Sequence, residues 1–261
     1  MTVSAVGIVD ADTTTTEGDA HVPLPWASVT KLCTALAVLV AVEERTLALD
    51  RPAGPQGATI EHLLAHASGY DFDTEAVLAP PATRRIYSNA GYLALGDALE
   101  RASGMPFASY LTDAVLGPLG LQHTTFDGNA AAGLVGPVND LVVVARELLA
   151  PTLVSTQTAA RMRTVAFPGL DGVLPGFGKQ SPNDWALGPE LRAHKAPHWT
   201  GRTNSPRTFG HFGASGGFLW VDPDAGVACV SLSDRPFGDW AIDEWPALSD
   251  RVVAERGRRR S

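Results

Sequence analysis

Two residues near the start of the chain have the types and the spacing for acyl transfer, namely Ser28 and Lys31. A helix beginning here places them on one face of its first turn, because residues three apart are neighbours on a helix surface. A buried amine can lose its proton and take the proton of a neighbouring hydroxyl, which turns the serine into a nucleophile. The pair alone is a weak signal, since a serine cap followed by a surface lysine has the same spacing.

The helix that carries this pair is predicted to be buried on all sides. Between Leu32 and Val42 only Thr34 interrupts an apolar run, and such a pattern is typical of a helix inside a core. The run is too short to cross a bilayer, and charged residues follow it at 43–45. A lysine at the mouth of a buried helix is costly unless it has a partner or a task. If Lys31 is buried there, it is therefore expected to have either a bonding partner or a chemical role.

Composition narrows the class of protein. The chain has 261 residues, of which 45% are hydrophobic and 18% charged, which suffices for one large domain or two smaller ones. The net charge of −8 argues against nucleic acid as a partner. The two cysteines, Cys33 and Cys229, do not make a disulfide framework. The first residues carry neither a basic start nor a long apolar stretch, so a cytoplasmic location is expected, although a trimmed secreted form would look the same.

The order of predicted elements indicates a sheet interrupted by helices. Strands are expected near both ends of the chain and can share one sheet, with the middle helices as an inserted domain. The region from Asp10 to Asp19 is interpreted as a loop. The predicted strands are 3–9, 21–24, 216–221 and 227–232, and the predicted helices start near Ser28, Thr59, Asn89, Phe107, Asp140, Ser155 and Trp240.

One histidine pair is a weak candidate for a metal site. His62 and His66 lie four residues apart on a predicted helix. No third ligand stands nearby in the sequence, and His66 falls at the helix end, where it can bond to free carbonyls. We therefore expect no metal and no other cofactor.

Three motifs occur in order along the chain: Ser28-Val29-Thr30-Lys31, Tyr87-Ser88-Asn89 and His211-Phe212-Gly213. With the segments around them, they make the chain resemble the penicillin-recognising serine hydrolases, for which S-x-x-K is a signature. Tyr-x-Asn as the second motif points to the branch of class C β-lactamases, D-alanyl-D-alanine peptidases and related esterases. The similarity covers nearly the whole chain.

This resemblance implies an α+β fold in which an antiparallel sheet is flanked by helices and carries an inserted all-helical domain. Residues 1–50 and 168–261 would form the sheet domain and residues 51–167 the helical one, with the active site in the cleft between them.

The resemblance also implies roles. Ser28 would be the acylated nucleophile, Lys31 and Tyr87 would share the acid and base work, and Asn89 would bind Lys31 and the acyl side of a small-molecule substrate. His211 and Gly213 would line the cleft on the substrate side. The oxyanion hole would consist of two backbone N–H groups, those of Ser28 and Ala214.

The third motif departs from the Lys-Thr-Gly of many relatives, which anchors a carboxylate. A mostly neutral imidazole at His211 and a benzyl ring at Phe212 offer less to such a group. These differences favour esterase-like hydrolysis over β-lactamase or D-alanyl-D-alanine carboxypeptidase activity, which remains the alternative, unless Arg202 or Arg207 supplies a cation. A third possibility, from another class, is a binding or sensing domain without turnover. The sequence does not specify the oligomeric state.

Overall fold

The computed structural model describes the backbone of residues 4–260 and the side chains of residues 4–256. The buried helix is confirmed as α1, Thr30–Glu43, which follows a single 3-10 turn at Ala27–Val29. Every residue of α1 from Thr30 to Leu39 is buried, as the unbroken apolar run requires. The first ten residues of α1 therefore pack inside the molecule on every side.

A six-stranded antiparallel sheet organises the fold, in the order β2-β1-β11-β10-β9-β8. Strands from both ends of the chain meet in it, because β1 pairs with β11 along its whole length, from Ser4 opposite Ser233 to Asp10 opposite Val227. The strands of this sheet are β1 Ser4–Asp10, β2 Thr14–Gly18, β8 Glu190–Leu191, β9 Phe209–Gly213, β10 Gly217–Asp222 and β11 Val227–Ser233. The expected α+β architecture with a shared antiparallel sheet is therefore confirmed.

One sequence interpretation was wrong at the edge of this sheet. The region expected to be a loop contains β2, which pairs with β1. Its threonines are β-branched and suit a strand, but β2 is exposed along its whole length. The absence of alternating apolar residues explains why the pattern suggested a loop. The first predicted strand begins at Val3, which lies outside the described residues.

The remaining strands are short. A three-stranded sheet in the order β3-β5-β4 and a hairpin of β6 with β7 complete the set. The predicted strand at 21–24 is reduced to the two residues of β3. The bounds of these five short strands are β3 Leu24–Pro25, β4 Thr125–Phe126, β5 Leu134–Gly136, β6 Gly172–Leu174 and β7 Gly178–Gln180.

The predicted helices are all present, with ends shifted by a few residues. The fourth continues into a π-helical turn at Thr112–Leu116. Among the described residues, no helix has the length and hydrophobicity needed to cross a membrane. The helices after α1 are α2 Ile60–Leu64, α3 Asn89–Ser103, α4 Phe107–Leu111, α5 Val138–Leu149, α6 Thr156–Arg161 and α7 Asp239–Arg260.

Helix α5 packs directly on the sheet. A Cβ added to Gly7 of β1 would lie 2.2 Å from Val142 Cγ1 and 3.2 Å from Val138 Cγ1, so only glycine lets the strand and the helix approach this closely. Because α5 lies within the predicted insertion 51–167, this packing argues for grouping it with the sheet. The proposed division into two domains stays a prediction.

Helix α7 covers the opposite face of the sheet through a second apolar cluster. Trp220 of β10 lies at its centre, and its indole N–H donates to Ser249 Oγ at 3.0 Å. The Arg256 guanidinium binds the buried Asp10 carboxylate at 2.6 Å, which joins the last helix to the end of β1. Cys33 and Cys229 are both free thiols in the interior, so they form no disulfide with each other.

Candidate active site

Ser28 lies in the tight turn that leads into α1 and lines a cleft. Ala27 has a φ of +45°, in the left-handed region, and turns the chain sharply just before the serine. The turn is anchored from behind by Trp26, whose backbone N–H donates to Leu134 O at 2.9 Å and whose indole N–H donates to Gly136 O at 3.0 Å. These bonds fix the position of the serine relative to the cleft.

The amine of Lys31 is fully buried and has three oxygen neighbours. Its Nζ lies 3.2 Å from Ser28 Oγ, 2.7 Å from Asn89 Oδ1 and 2.9 Å from Ala131 O. Burial lowers the pKa of Lys31 to about 7, and the Asp73 carboxylate opposes this shift. A substantial fraction of the amine is therefore neutral at pH 7, and most of it above that pH.

Neutral Lys31 can share its hydrogens among these neighbours in one favourable way. The amide oxygen of Asn89 and the carbonyl of Ala131 only accept hydrogen bonds, so the two remaining N–H groups point to them. The lone pair then faces the hydroxyl of Ser28, which is able to donate to it. This arrangement favours transfer of the serine proton to the amine.

The second motif begins α3 and is held through Ser88. Its hydroxyl accepts a hydrogen bond from the N–H of Gly91 at 2.9 Å and donates to Asp71 O at 2.6 Å. Its own N–H donates to Nδ1 of the buried His66 at 3.1 Å. These three bonds fix the residues on either side of Ser88 at the cleft.

Tyr87 lies beside Lys31, with the amine 5.0 Å from the centre of the aromatic ring. Burial raises the pKa of the Tyr87 phenol, while a hydrogen bond with Ser28 lowers it and the charge of Asp73 raises it further. The phenol therefore keeps its proton at neutral pH and can donate it. These surroundings favour Lys31 over Tyr87 as the base.

His211 of β9 is buried and neutral. Its Nδ1–H donates to Phe212 O at 2.7 Å, and burial together with the nearby Lys31 lowers the pKa of the imidazole to about 3. Its ring lies 5.7 Å from that of Tyr87 and 5.5 Å from that of Trp185, measured between centroids. No described residue bonds to its Nε2. The imidazole thus brings no positive charge to the cleft.

Gly213, at the end of β9, passes close to the nucleophile. A Cβ on it would lie 2.6 Å from Trp26 O and 3.3 Å from the backbone nitrogen of Ser28. The next residue, Ala214, lines the cleft, and its carbonyl accepts a hydrogen bond from the N–H of Phe237 at 3.0 Å. The strand thus brings the two predicted oxyanion donors, Ser28 and Ala214, to the same cleft.

The cleft has a volume of about 110 Å³ and mainly apolar walls. The two arginines that might have supplied a cation, Arg202 and Arg207, are not among its lining residues, and Arg207 pairs with Asp224 at 2.7 Å on the surface. Besides Ala214, the lining includes six apolar side chains, those of Phe72, Leu174, Pro175, Trp185, Phe212 and Phe237.

Of the described residues that line the cleft, only Glu190 of β8 is acidic, and it is paired from behind. Its carboxylate accepts bonds from Lys195, from His198 Nε2 at 2.9 Å and from the indole N–H of Trp199 at 3.0 Å. Burial acts to raise the pKa of Glu190, but His198 and Lys195 bring it down to about 2. The negative charge is therefore permanent and locally balanced.

Arg85 fastens the second motif to a wall of the cleft. Its guanidinium is buried and donates to Ala65 O at 2.6 Å, Asn183 O at 3.0 Å, Ala166 O at 2.7 Å and Phe167 O at 3.0 Å. The segments before Tyr87 and before Trp185 are thereby held together by one side chain.

The structure brings together all the residues predicted from the three motifs, and it adds three that the sequence does not reveal. Asp73 lies on an irregular loop and gives no pattern in the sequence, although its Oδ1 accepts a hydrogen bond from Asn89 Nδ2 at 2.8 Å. In the sequence, His66 stands out only as a weak metal-ligand candidate at a predicted helix end, and nothing there links it to Ser88. Trp185 belongs to a region where the sequence shows only a change in composition.

Both histidines of the predicted pair contact aromatic rings. His62 stacks on Phe167 with ring centroids 4.3 Å apart, and His66 packs against the ring of Tyr87 at 4.5 Å. Within the described part of the chain, no group of three or more histidine, cysteine or acidic side chains is placed to hold a metal.

The sequence and the fold both match known proteins. A family model described as Beta-lactamase matches residues 5–250. A beta-lactamase from Mycobacterium bovis is 52% identical and superimposes with a TM-score of 0.96 over 97% of this chain and 95% of that one. Simvastatin synthase from Aspergillus terreus, at 16% identity, has a TM-score of 0.82 over 98% of this chain and 91% of its own, which is a likeness of fold.

Curated relatives are more distant. A protein named D-alanyl-D-alanine carboxypeptidase from Salmonella paratyphi B is 26% identical over 200 residues, which cover 60% of this chain. The match covers 46% of that relative, so the chain spans about half the length of the curated relatives it matches.

Proposed function

The chain belongs to the beta-lactamase family of serine hydrolases, and from this premise we propose that it cleaves neutral esters of small acyl groups through an acyl-enzyme on Ser28. The observation that carries the proposal is the buried Lys31 amine, 3.2 Å from Ser28 Oγ and with a pKa of about 7. A base with a pKa near the working pH is the most effective.

The reaction follows from the positions of these groups. Lys31 takes the proton of Ser28 as Oγ attacks the ester carbonyl, and the backbone N–H groups of Ser28 and Ala214 hold the negative oxygen that forms. Tyr87 donates its proton to the departing alkoxide and recovers one from Lys31. Lys31, neutral again, takes a proton from the water that attacks the acyl-enzyme and passes it to Ser28 Oγ as the acyl bond breaks and the carboxylic acid leaves.

Preference for a neutral substrate rests on the third motif. A cleft with a neutral His211 and the Phe212 ring, and with no arginine among its described lining residues, lacks the cation that the third motif of many relatives offers to a carboxylate. Loss of one charge-assisted hydrogen bond costs about 1.5–3 kcal/mol. Ester cleavage is therefore expected to exceed that of a carboxylated β-lactam roughly ten- to hundred-fold.

The second candidate is β-lactamase or D-alanyl-D-alanine carboxypeptidase activity. It is favoured by the names of the Mycobacterium bovis and Salmonella relatives. The apolar walls of the cleft and its uncharged His211 weigh against it.

The test compares kcat/KM for nitrophenyl acetate and butyrate with kcat/KM for nitrocefin and for release of D-alanine from a D-alanyl-D-alanine peptide. The value of kcat/KM should be higher for the esters than for nitrocefin. If kcat/KM for nitrocefin equals or exceeds that for the esters, the esterase proposal fails and β-lactamase activity takes its place. His211→Lys should narrow the gap by improving nitrocefin turnover. Phe212 is left unchanged, because its ring packs 5.1 Å from that of Phe237 and 5.8 Å from that of Trp245, so that Phe212→Thr would leave a cavity.

The third possibility, a binding or sensing domain without turnover, is tested by a separate experiment. A fluorophosphonate should label the wild-type protein covalently, with the adduct seen by intact-mass spectrometry, and Ser28→Ala should abolish the adduct. An unlabelled wild type would favour a binding domain, and an adduct on Ser28→Ala would move the nucleophile elsewhere.

A further inference from the structure

A chain of hydrogen bonds runs from the loop before the second motif to the nucleophile. Asp73 Oδ1 accepts from Asn89 Nδ2 at 2.8 Å, Asn89 Oδ1 accepts from Lys31 Nζ at 2.7 Å, and Lys31 Nζ lies 3.2 Å from Ser28 Oγ. We propose that Asp73 is a positioning residue, which fixes the orientation of the Asn89 amide and thereby keeps the Lys31 lone pair on Ser28. The inference rests on the proposed function, in which Lys31 is the base.

The chemistry of the carboxylate fixes the direction of this chain. An ionised carboxylate only accepts hydrogen bonds, so Asn89 must present its NH₂ group to Asp73. The amide oxygen then faces Lys31, and the neutral amine donates to it. A flipped Asn89 would instead offer an N–H to the amine, whose lone pair would turn away from Ser28.

Asp73 is exposed, but its loop is tied to the start of α3. The carbonyl of Phe72 accepts a hydrogen bond from the N–H of Asn89 at 2.6 Å, and the carbonyl of Asp71 accepts one from Ser88 Oγ at 2.6 Å. Two backbone carbonyls just before Asp73 are therefore bonded to the second motif. The carboxylate is held where it can reach Asn89.

The negative charge of Asp73 has a second effect, which is on the pKa of Lys31. Lys31 is faced by the rings of Tyr87 and Tyr92, at 5.0 and 5.3 Å, and its charge helps to lower the pKa of the buried His211 and His66. Among these neighbours the carboxylate of Asp73 is the negative group, and it raises the pKa of Lys31 against the effect of burial. Removing this charge should lower the pKa of Lys31.

The test uses Asp73→Ala, the isosteric Asp73→Asn, and Glu75→Gln as the matched control, because Glu75 is an exposed carboxylate on the same loop. The measurement is the second-order rate of fluorophosphonate labelling of Ser28 between pH 5 and 9. Labelling requires an activated serine and does not depend on ester specificity. Thermal unfolding of each variant is recorded alongside.

Fluorophosphonate should label Asp73→Ala roughly ten-fold more slowly at pH 8, because a general base that is poorly positioned loses part of its effect on the rate. Its acid-side midpoint should lie at a lower pH than that of the wild type, because the protonated amine has lost a negative neighbour. Asp73→Asn should show the same direction of midpoint shift with a smaller loss of rate, since it keeps an acceptor. Glu75→Gln should match the wild type in both.

Three outcomes would overturn the inference alone, and the first two are a wild-type rate and midpoint in Asp73→Ala and equal changes in Glu75→Gln. A purely structural effect would lower the unfolding temperature or the rate without moving the midpoint, and it would also reject the inference. Failure of the wild type to label at any pH would overturn the proposed function, and this inference with it.

Discussion

Gly213 and Ser28 approach each other so closely that a Cβ on the glycine would lie 3.3 Å from the serine backbone nitrogen and 2.6 Å from Trp26 O. Gly213→Ala must therefore displace the turn that carries the nucleophile. Loss of one oxyanion donor costs about 10²–10³ in kcat, and a fall of this size is expected. Gly238→Ala is the control, because a Cβ there meets only Trp240 Cδ1 at 3.8 Å. Ester kinetics near the wild-type level in Gly213→Ala would contradict the close packing.

Lys31→Met should abolish ester turnover and change how stability depends on pH. The pKa of Lys31 is about 7 in the folded protein and 10.5 for an unburied lysine side chain, so between these values the unfolded chain binds a proton that the folded chain does not. Wild-type stability therefore gains up to about 1.4 kcal/mol per pH unit from this group as pH rises through that window. Well below pH 7 both the folded and the unfolded chain hold the lysine proton, so Lys31 makes stability no more dependent on pH there.

Urea unfolding of both proteins at pH 6, 7, 8.5 and 9.5 measures this difference, because other titrating groups are common to the two. The free energy of unfolding of Lys31→Met, relative to wild type, should fall as pH rises above 7. A difference independent of pH would mean that Lys31 keeps an ordinary pKa in the folded state.

Tyr87→Phe should affect substrates according to their leaving group. Because burial raises the pKa of the phenol, Tyr87 is expected to protonate the departing alkoxide. Nitrophenolate leaves without a proton, so nitrophenyl esters should lose little activity, whereas ethyl esters of the same acids should lose roughly 10²–10⁴-fold. An equal loss with both leaving groups would instead make Tyr87 the base. The comparison is of kcat/KM for matched acetates and butyrates.

His66 is expected to hold the second motif through one hydrogen bond in an unusual backbone conformation. Its φ is +53°, and its Nδ1 accepts from the buried N–H of Ser88. His66→Asn keeps an acceptor and tolerates the left-handed conformation. His66→Ala loses both, and the orphaned N–H should cost about 1–3 kcal/mol. Urea unfolding should therefore give a higher free energy of unfolding for His66→Asn than for His66→Ala. Equal values would show that the hydrogen bond to Ser88 contributes nothing to stability.

The residues that meet in the candidate site could be predicted from the sequence because they stand in short motifs. Ser28 and Lys31 are brought together by helix spacing alone, and the apolar run after them indicates burial. The strands at the two chain ends are recognisable by their apolar residues, and their pairing into one sheet is confirmed by β1 and β11.

The other features of the site and of the sheet depend on contacts between distant parts of the chain, which no local sequence pattern encodes. Asp73 reaches Asn89 only because a loop folds over the start of α3. The exposed threonines of β2 become a strand only because β1 offers them an unpaired edge. The pKa values of Lys31 and His211 are set by burial, which follows from the whole assembly and not from their neighbours in sequence.

The walls of the cleft have an evolutionary consequence. Leu174 and Pro175 come from the end of β6 and the turn after it, and Phe237 comes from the connection between β11 and α7. The proposed reacting groups lie elsewhere, in the 3-10 turn before α1 and the first turn of α1, at the start of α3 and on β9. Selection can therefore reshape what the cleft admits by altering surface segments that carry none of the reacting groups. A lineage with this architecture can acquire new substrates by small steps while its reaction chemistry is inherited intact.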